Sequence, residues 1–340
     1  MYRRLILFAT ALTFGIVVLG AFVRLSDAGL GCPDWPGCYG QLLVPVEAHE
    51  LAAAAVKFPS QPVEVKKGWI EMLHRYFASS LGLVILAVAF TAWLKRRELR
   101  QPLGLPIFLI VLVIFQGMLG MWTVTLKLYP AVVTAHLLGG MTTLSLLTWL
   151  LMRQTDRQAR NHIGHISTSL TMLGAVALGV LALQILLGGW VSTNYAALAC
   201  TDFPRCHGSW APAADFANGF YPLRELGRAP NGDLLHLDAL TGIHWMHRVG
   251  ALITFCVVGL FAIVLLLHRE MLRYGLFIVT ALAVQLSLGI ANVLLSLPLP
   301  LAVAHNAGAA LLLVILVATN YRIHHKVNTR ISDHVDFLRS

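Results

Sequence analysis

Four histidines stand in strongly apolar sequence as two matched pairs, His74 with His136 and His247 with His305. The same signatures surround each pair. Gly20-Ala21-Phe22-Val23-Arg24 is answered by Gly189-Trp190-Val191-Ser192, Cys32 and Cys38 by Cys200 and Cys206, and His74-Arg75 by His247-Arg248. Gln116-x-x-x-Gly120 is answered by Gln285-x-x-x-Gly289, and His136-x-x-Gly139 by His305-x-x-Gly308. The offset is 168 at the cysteines, 173 at the first histidine and 169 at the glutamines and second histidine. An imidazole inside a membrane segment is costly and marks function by default. Two imidazoles at one depth on facing helices can supply both axial ligands of a metalloporphyrin, a cofactor that helix bundles commonly hold. A compact zinc or copper site would want three or four close ligands with cysteine or carboxylate among them. Apolar surroundings suit a haem better.

The halves differ beside the first ligand. Glu71 precedes His74 by three residues, and His244 precedes His247 by three. Residues at that spacing share a helix face. One ligand therefore has a carboxylate neighbour and the other an imidazole. A carboxyl group at a low-dielectric edge has reason to change protonation state. It could relay a proton or stabilise a developing cation; the competing reading is a first-turn glutamate favoured by the helix dipole. Arg75 and Arg248 are candidate partners of haem propionates, with snorkelling to lipid phosphate the equal alternative. Gln116 and Gln285, mid-helix, are expected to bond across helices or line a cavity. The other histidines, at helix ends, in loops and in the tail, read as solvated or capping residues.

The elements that must position these residues are membrane helices. Charged residues are 12% of the chain and hydrophobic ones 57%, which places it in the membrane class. The net charge of +9 reflects topology and does not imply a nucleic-acid partner. Eight apolar stretches are long enough to span, at about 5–23, 70–94, 105–125, 131–152, 166–190, 242–267, 275–297 and 301–321. The first, preceded by Arg3 and Arg4, is too long for a signal h-region and reads as a retained helix. Most of the Lys and Arg gather in short loops and tails on one side, including Lys95, Arg96, Arg97, Arg153, Arg269, Arg273 and Arg322. By the positive-inside rule both termini are cytoplasmic and the long loops 24–69 and 191–241 face outward. The four histidines then lie less than about 10 Å below the outer face.

An even number of helices per half makes the repeat parallel, related by an axis along the membrane normal. The expected fold is an all-α polytopic membrane protein built as two parallel-repeated four-helix bundles. The units are 1–160, holding the first histidine pair, 161–325, holding the second, and a tail at 326–340. Gly139, Gly140, Gly188, Gly189 and Gly308 would permit close helix approach or reflect general membrane enrichment. Each cysteine pair lies on the oxidising side, which favours disulfides Cys32–Cys38 and Cys200–Cys206. So short a loop argues for local shaping, with thiol or electron exchange the alternative. Cys256 reads as a buried packing thiol.

The set Glu71-x-x-His74, His136, His247, His305, the Cys32/Cys38 pair and the tandem eight-helix pattern resembles the haem A synthase family of bacteria and mitochondria. The resemblance runs to about residue 322. It is carried most specifically by Gly-Ala-Phe-Val-Arg-Leu-Ser-Asp-Ala-Gly-Leu-Gly-Cys-Pro-Asp-Trp-Pro-x-Cys-x-Gly at 20–40. It implies oxidation of a methyl group of haem O to a formyl group, with water as the oxygen source. It further implies His247 and His305 as ligands of a resident haem b, His74 and His136 as ligands of the substrate haem, and Glu71 as the acidic residue that matters for conversion. The second cysteine pair occurs in only some members of that family. The pathway implies haem O synthase and oxidase assembly factors as partners, and the inner membrane as location.

The residues alone support a di-haem-capable membrane protein and leave the reaction open. A bis-histidine iron is coordinatively saturated, which suits electron transfer. A b-type di-haem cytochrome and a haem transporter or chaperone therefore stand beside the enzyme. Mass analysis of the extracted pigment separates them.

Overall fold

The computed structural model describes residues 1–99, 102–156 and 168–337. Among the described residues eight long helices occur: α1 Tyr2–Leu25, α2 Val65–Leu94, α3 Gly104–Thr125, α4 Pro130–Asp156, α5 Thr168–Thr193, α6 Leu237–Leu266, α7 Leu272–Leu294 and α8 Leu299–Phe337. Each contains an apolar run long enough to cross a bilayer. No strand occurs among the described residues. The membrane-spanning all-helical reading holds, with changes at the ends. α2 and α6 begin about five residues before the expected spans, because their polar first turns are helical. His74 and His247 therefore sit roughly 14–15 Å along their helices from the first residue. α3 and α7 end in matched turns where Lys127 and Leu128, then Ser296 and Leu297, take positive φ. The N–H of Leu128 bonds to Thr123 O and that of Leu297 to Asn292 O, closing each C-terminus. α8 continues past residue 321 into the segment read as a tail. His162 and His165 lie outside the described residues.

Contacts between helices follow one pattern twice. α1 packs on α2 and α4, and α3 packs on the same two, so α1–α4 close a ring. α5 packs on α6 and α8, and α7 packs on the same two. Across the middle, α4 meets α5 and α8, and α1 meets α8. One apolar core, with Ile6, Ile85, Leu109 and Leu147 fully covered, sits among α1–α4. Another, around Phe261, Ile278 and Leu316, sits among α5–α8 and draws in Met141 and Leu144 of α4.

The outer faces carry Leu83, Phe90, Ile114, Leu183, Leu252 and Phe277, all exposed. That suits hydrocarbon solvent, where no water satisfies polar groups. Cys256 belongs to this outward surface and is exposed. The expectation of a buried thiol fails because periodicity in a uniformly apolar helix does not distinguish core from lipid. Interior hydroxyls return to the helix: Thr13 bonds to Ala9 O at 2.7 Å and Thr148 to Leu144 O at 2.8 Å.

The two long loops meet at one end of the bundle. Arg24 Nη2 donates to Ser192 O at 2.7 Å, and Tyr195 Oη donates to Asp27 Oδ1 at 2.9 Å. The Arg24 guanidinium lies 3.9 Å from the centre of the Tyr195 ring. Both bonds join positions 168 residues apart, the offset of the cysteine pairs. The first loop folds a short helix, Ala48–Lys57, closed by a capping box between Glu47 and Glu50. The second folds shorter turns at Ala196–Leu198 and Phe216–Gly219.

Candidate functional site

The cysteine loops are built alike. Cys32 is bonded to Cys38 and Cys200 to Cys206. Asp34 accepts the N–H groups of Tyr39 and Gly40 at 2.7 and 2.6 Å, and Asp202 accepts those of His207 and Gly208, both at 2.8 Å. Tyr39 and His207 have φ of 54° and 52°, followed by Gly40 and Gly208 at 79° and 73°. Two successive left-handed residues make this turn, and glycine takes the second without steric cost. Trp35–Pro36 and Phe203–Pro204 are both cis.

An arginine clamps each loop to its helix. Arg75 Nη1 donates to the carbonyls of Asp34, Pro36 and Gly37 at 3.0, 3.2 and 2.6 Å. Arg248 Nη1 donates to those of Asp202 and Arg205 at 2.8 and 2.9 Å, and its Nη2 donates to Cys200 O at 2.7 Å. Sequence reasoning did not foresee this bracing task. Both guanidiniums are turned toward loop carbonyls, so a propionate contact would share them.

Glu71 sits under the first loop and is 4% exposed. Its Oε2 accepts the Cys32 N–H at 3.0 Å, and its Oε1 pairs with Arg75 at 2.5 Å. That is not a solvated first-turn carboxylate. His244, also 4% exposed, holds the same place under the second loop. The Cys200 N–H points to its Nδ1 at 3.3 Å and Arg248 Nε to its Nε2 at 3.2 Å. A carboxylate accepts both bonds at once, whereas a neutral imidazole has one acceptor nitrogen and must choose. The substitution that sets the halves apart in sequence is thus a difference in hydrogen-bond capacity.

The four predicted ligands face glycines on the preceding helix. A Cβ placed on Gly20 would stand 3.0 Å from His74 Cε1, and one on Gly188 would stand 3.1 Å from His247 Cε1. The same holds for Gly120 against His136 at 3.5 Å and Gly289 against His305 at 3.0 Å. At Gly20, Gly188 and Gly289 a Cβ would therefore crowd the ring, whereas a Cβ on Gly120 would make ordinary contact with His136. His74 and His136 lie within electrostatic reach of each other, as do His247 and His305. The Nδ1 atoms of His74, His136 and His305 are buried without a protein partner. Paired imidazoles in apolar surroundings, without a carboxylate or thiolate bound to them, fit a haem held by two histidines.

The glutamines adjoin these rings. Gln285 Nε2 is 3.4 Å from His305 Nε2. Gln116 and Gln285 lie against Gly139 and Gly308, which their amides would collide with were those residues alanine. A third glutamine escaped sequence reasoning. Gln184 of α5 reaches His247, with Nε2 3.1 Å from Nδ1, 3.5 Å from the ring Nε2 and 3.0 Å from the backbone carbonyl. It has no glutamine partner in the first half, so the repeat did not flag it. Its spacing four residues before Gly188 was the available signal.

The chain matches, over residues 3–317, a family described as cytochrome oxidase assembly protein, COX15-CtaA. It is 47% identical over 316 residues to the haem A synthase of Shewanella oneidensis, covering 92% of this chain and 94% of that one. It is 28% identical over 335 residues to the haem A synthase of Caulobacter sp. strain K31, covering 92% and 93%. A haem A synthase of Halalkalibacterium halodurans is 28% identical over 227 residues, covering 62% of this chain and 67% of that one. With the fold, the loop motif and these matches together, the chain belongs to the COX15-CtaA family of cytochrome oxidase assembly proteins.

Proposed function

We propose that this chain is a haem A synthase, a multi-pass oxidoreductase of the bacterial inner membrane that converts a methyl group of haem O to a formyl group. The observation that carries the proposal is the paired imidazoles, each facing a glycine, under loops that differ at Glu71 and His244. We assign His74 and His136, in a unit spanning 1–160, to the substrate haem. We assign His247 and His305, in a unit spanning 161–325, to haem b. When bound, haem b supplies one-electron redox chemistry to the reaction.

The chain's own residues set the conditions. We assign Glu71 the role of accepting a proton as the methyl carbon is oxidised, since oxidation with water as oxygen donor releases protons with its electrons. Arg75 and the Cys32 N–H hold its carboxylate in place. The apolar faces of the helices exclude bulk water from the porphyrin. The distribution of Lys and Arg supports cytoplasmic termini, a cytoplasmic segment at 326–340, and haem sites toward the outer face. Haem O synthase and oxidase assembly factors are the partners that the pathway implies.

A second reading, a b-type cytochrome that only moves electrons, draws on the matched histidine pairs and the matched Gln116 and Gln285. Pigment extracted from purified protein and separated by mass decides between them. The enzyme should yield haem O, haem A or a hydroxylated intermediate beside haem b. Haem b alone would exclude conversion and favour electron transfer or haem carriage.

A further inference from the structure

Gln184 and Gly250 form a unit with His247 that the first half lacks. Gln184 and Gly188 lie one turn apart on α5 and both face His247. Gly250, less than a turn beyond His247 on α6, leaves the room the amide occupies: a Cβ there would collide with Gln184 Oε1. The loop offset of 168, which also superposes Gly20 on Gly188 against their imidazoles, puts Ile16 in the place of Gln184. The histidine offset of 173 puts Phe77 in the place of Gly250. So His247 has an amide within hydrogen-bond distance, whereas the Nδ1 of His74 is buried with no protein partner.

We infer that Gln184 is a positioning residue that holds His247 as a fixed, electron-rich ligand, and that its absence beside His74 leaves the first site exchangeable. This rests on the assignment of His247 to haem b. An imidazole bound to iron through Nε2 carries its hydrogen on Nδ1. The Oε1 of Gln184 is buried without a partner, and turning the amide half a turn presents it to that hydrogen in exchange for the Nε2 bond to the His247 carbonyl. Accepting that hydrogen fixes the tautomer and ring orientation and makes the ligand more basic. A more basic ligand favours ferric over ferrous iron. The imidazole lacking that bond rotates and dissociates more readily, which suits a site that must take in one porphyrin and release another.

The test is a redox titration and a low-temperature EPR spectrum of the full-length protein purified with its haem b, with Gln184→Met and Gln184→Glu. Losing the bond should change the ratio of ferric to ferrous affinity by about tenfold, an upward shift of about 59 mV for a one-electron couple. The EPR signal of the low-spin ferric haem should also move with the changed ligand field. Gln184→Glu, which keeps an acceptor, should leave the potential at or below that of the parent. Selective loss of haem b from folded Gln184→Met protein would also support the role. An unmoved potential and EPR signal at full haem b content overturns it. If Gln184→Met does not fold, Gln184→Glu decides alone: a potential above the parent overturns the inference. A parent protein with no haem b bound by His247 and His305 would instead sink the assignment on which it rests.

Discussion

Glu71 and Arg75 stand one helical turn apart on α2, paired at 2.5 Å, and each is separately bonded to the Cys32–Cys38 loop. The acid is thus fixed by the loop and by the cation that grips the same loop. Glu71→Gln keeps an acceptor for the Cys32 N–H and removes the charge. Conversion of haem O should fall by at least about 100-fold, the usual scale for a lost acid–base group. Haem b content should stay unchanged. Stability should drop by about 2 kcal/mol, the worth of a hydrogen bond to a charged group. Haem analysis and thermal unfolding of the same preparation read all three, and unimpaired conversion would remove Glu71 from the mechanism.

Glycines that face imidazoles should behave unlike glycines that face nothing. A Cβ on Gly179 of α5 or Gly15 of α1 meets no atom within 4 Å. Alanine at either should be neutral or stabilising by up to about 1 kcal/mol through helix propensity. Gly188→Ala should lower haem b per protein, because His247 must shift. Gly20→Ala should spare haem b and lower conversion. Equal haem content and conversion across all four variants would show that the close approach has no bearing on either site.

The two disulfides should separate by site, not by stability. Each closes so short a loop that chain entropy assigns it only about 2 kcal/mol. Paired serine substitutions of Cys32 and Cys38 should loosen the Cys32 N–H and the carbonyls that hold Glu71 and Arg75, so conversion falls more than haem b content. The same change at Cys200 and Cys206 should affect haem b content first. The opposite ranking would mean that the loops do not serve the sites beneath them.

Acid should release the second loop. The N–H of Gly208 holds the Asp202 carboxyl below the ordinary aspartate range, against desolvation that raises it, and the His207 N–H adds to the lowering. A depressed folded value adds stability above the unfolded pKa, and that stability is lost as pH falls through the folded value. Melting temperatures measured downward from pH ~5 should show this loss in the parent and a flatter profile in Asp202→Asn. Parallel profiles would mean that the carboxylate bonds do not hold the turn.

Helix count is legible because long apolar runs give a strong signal, and the matched surroundings of the four histidines because the motif repeats. Cys256 was misplaced because a lipid-facing side chain and a core side chain look alike in an all-apolar helix. In sequence, Arg75 and Arg248 read as facing lipid or propionate, since nothing local reveals that a loop about forty residues away presents carbonyls to each. Gln184 is hidden for the opposite reason. Attention to what the halves share hides what one half has alone.

The bonds from Arg24 to Ser192 and from Tyr195 to Asp27 tie the rims of the two halves, while α4 and α8 are packed together below. On the proposed reading, the separation of the two histidine pairs is then set within one chain, by the contacts that join its halves. A visiting porphyrin would find its redox partner already in place, with no second protein needed to bring the two together.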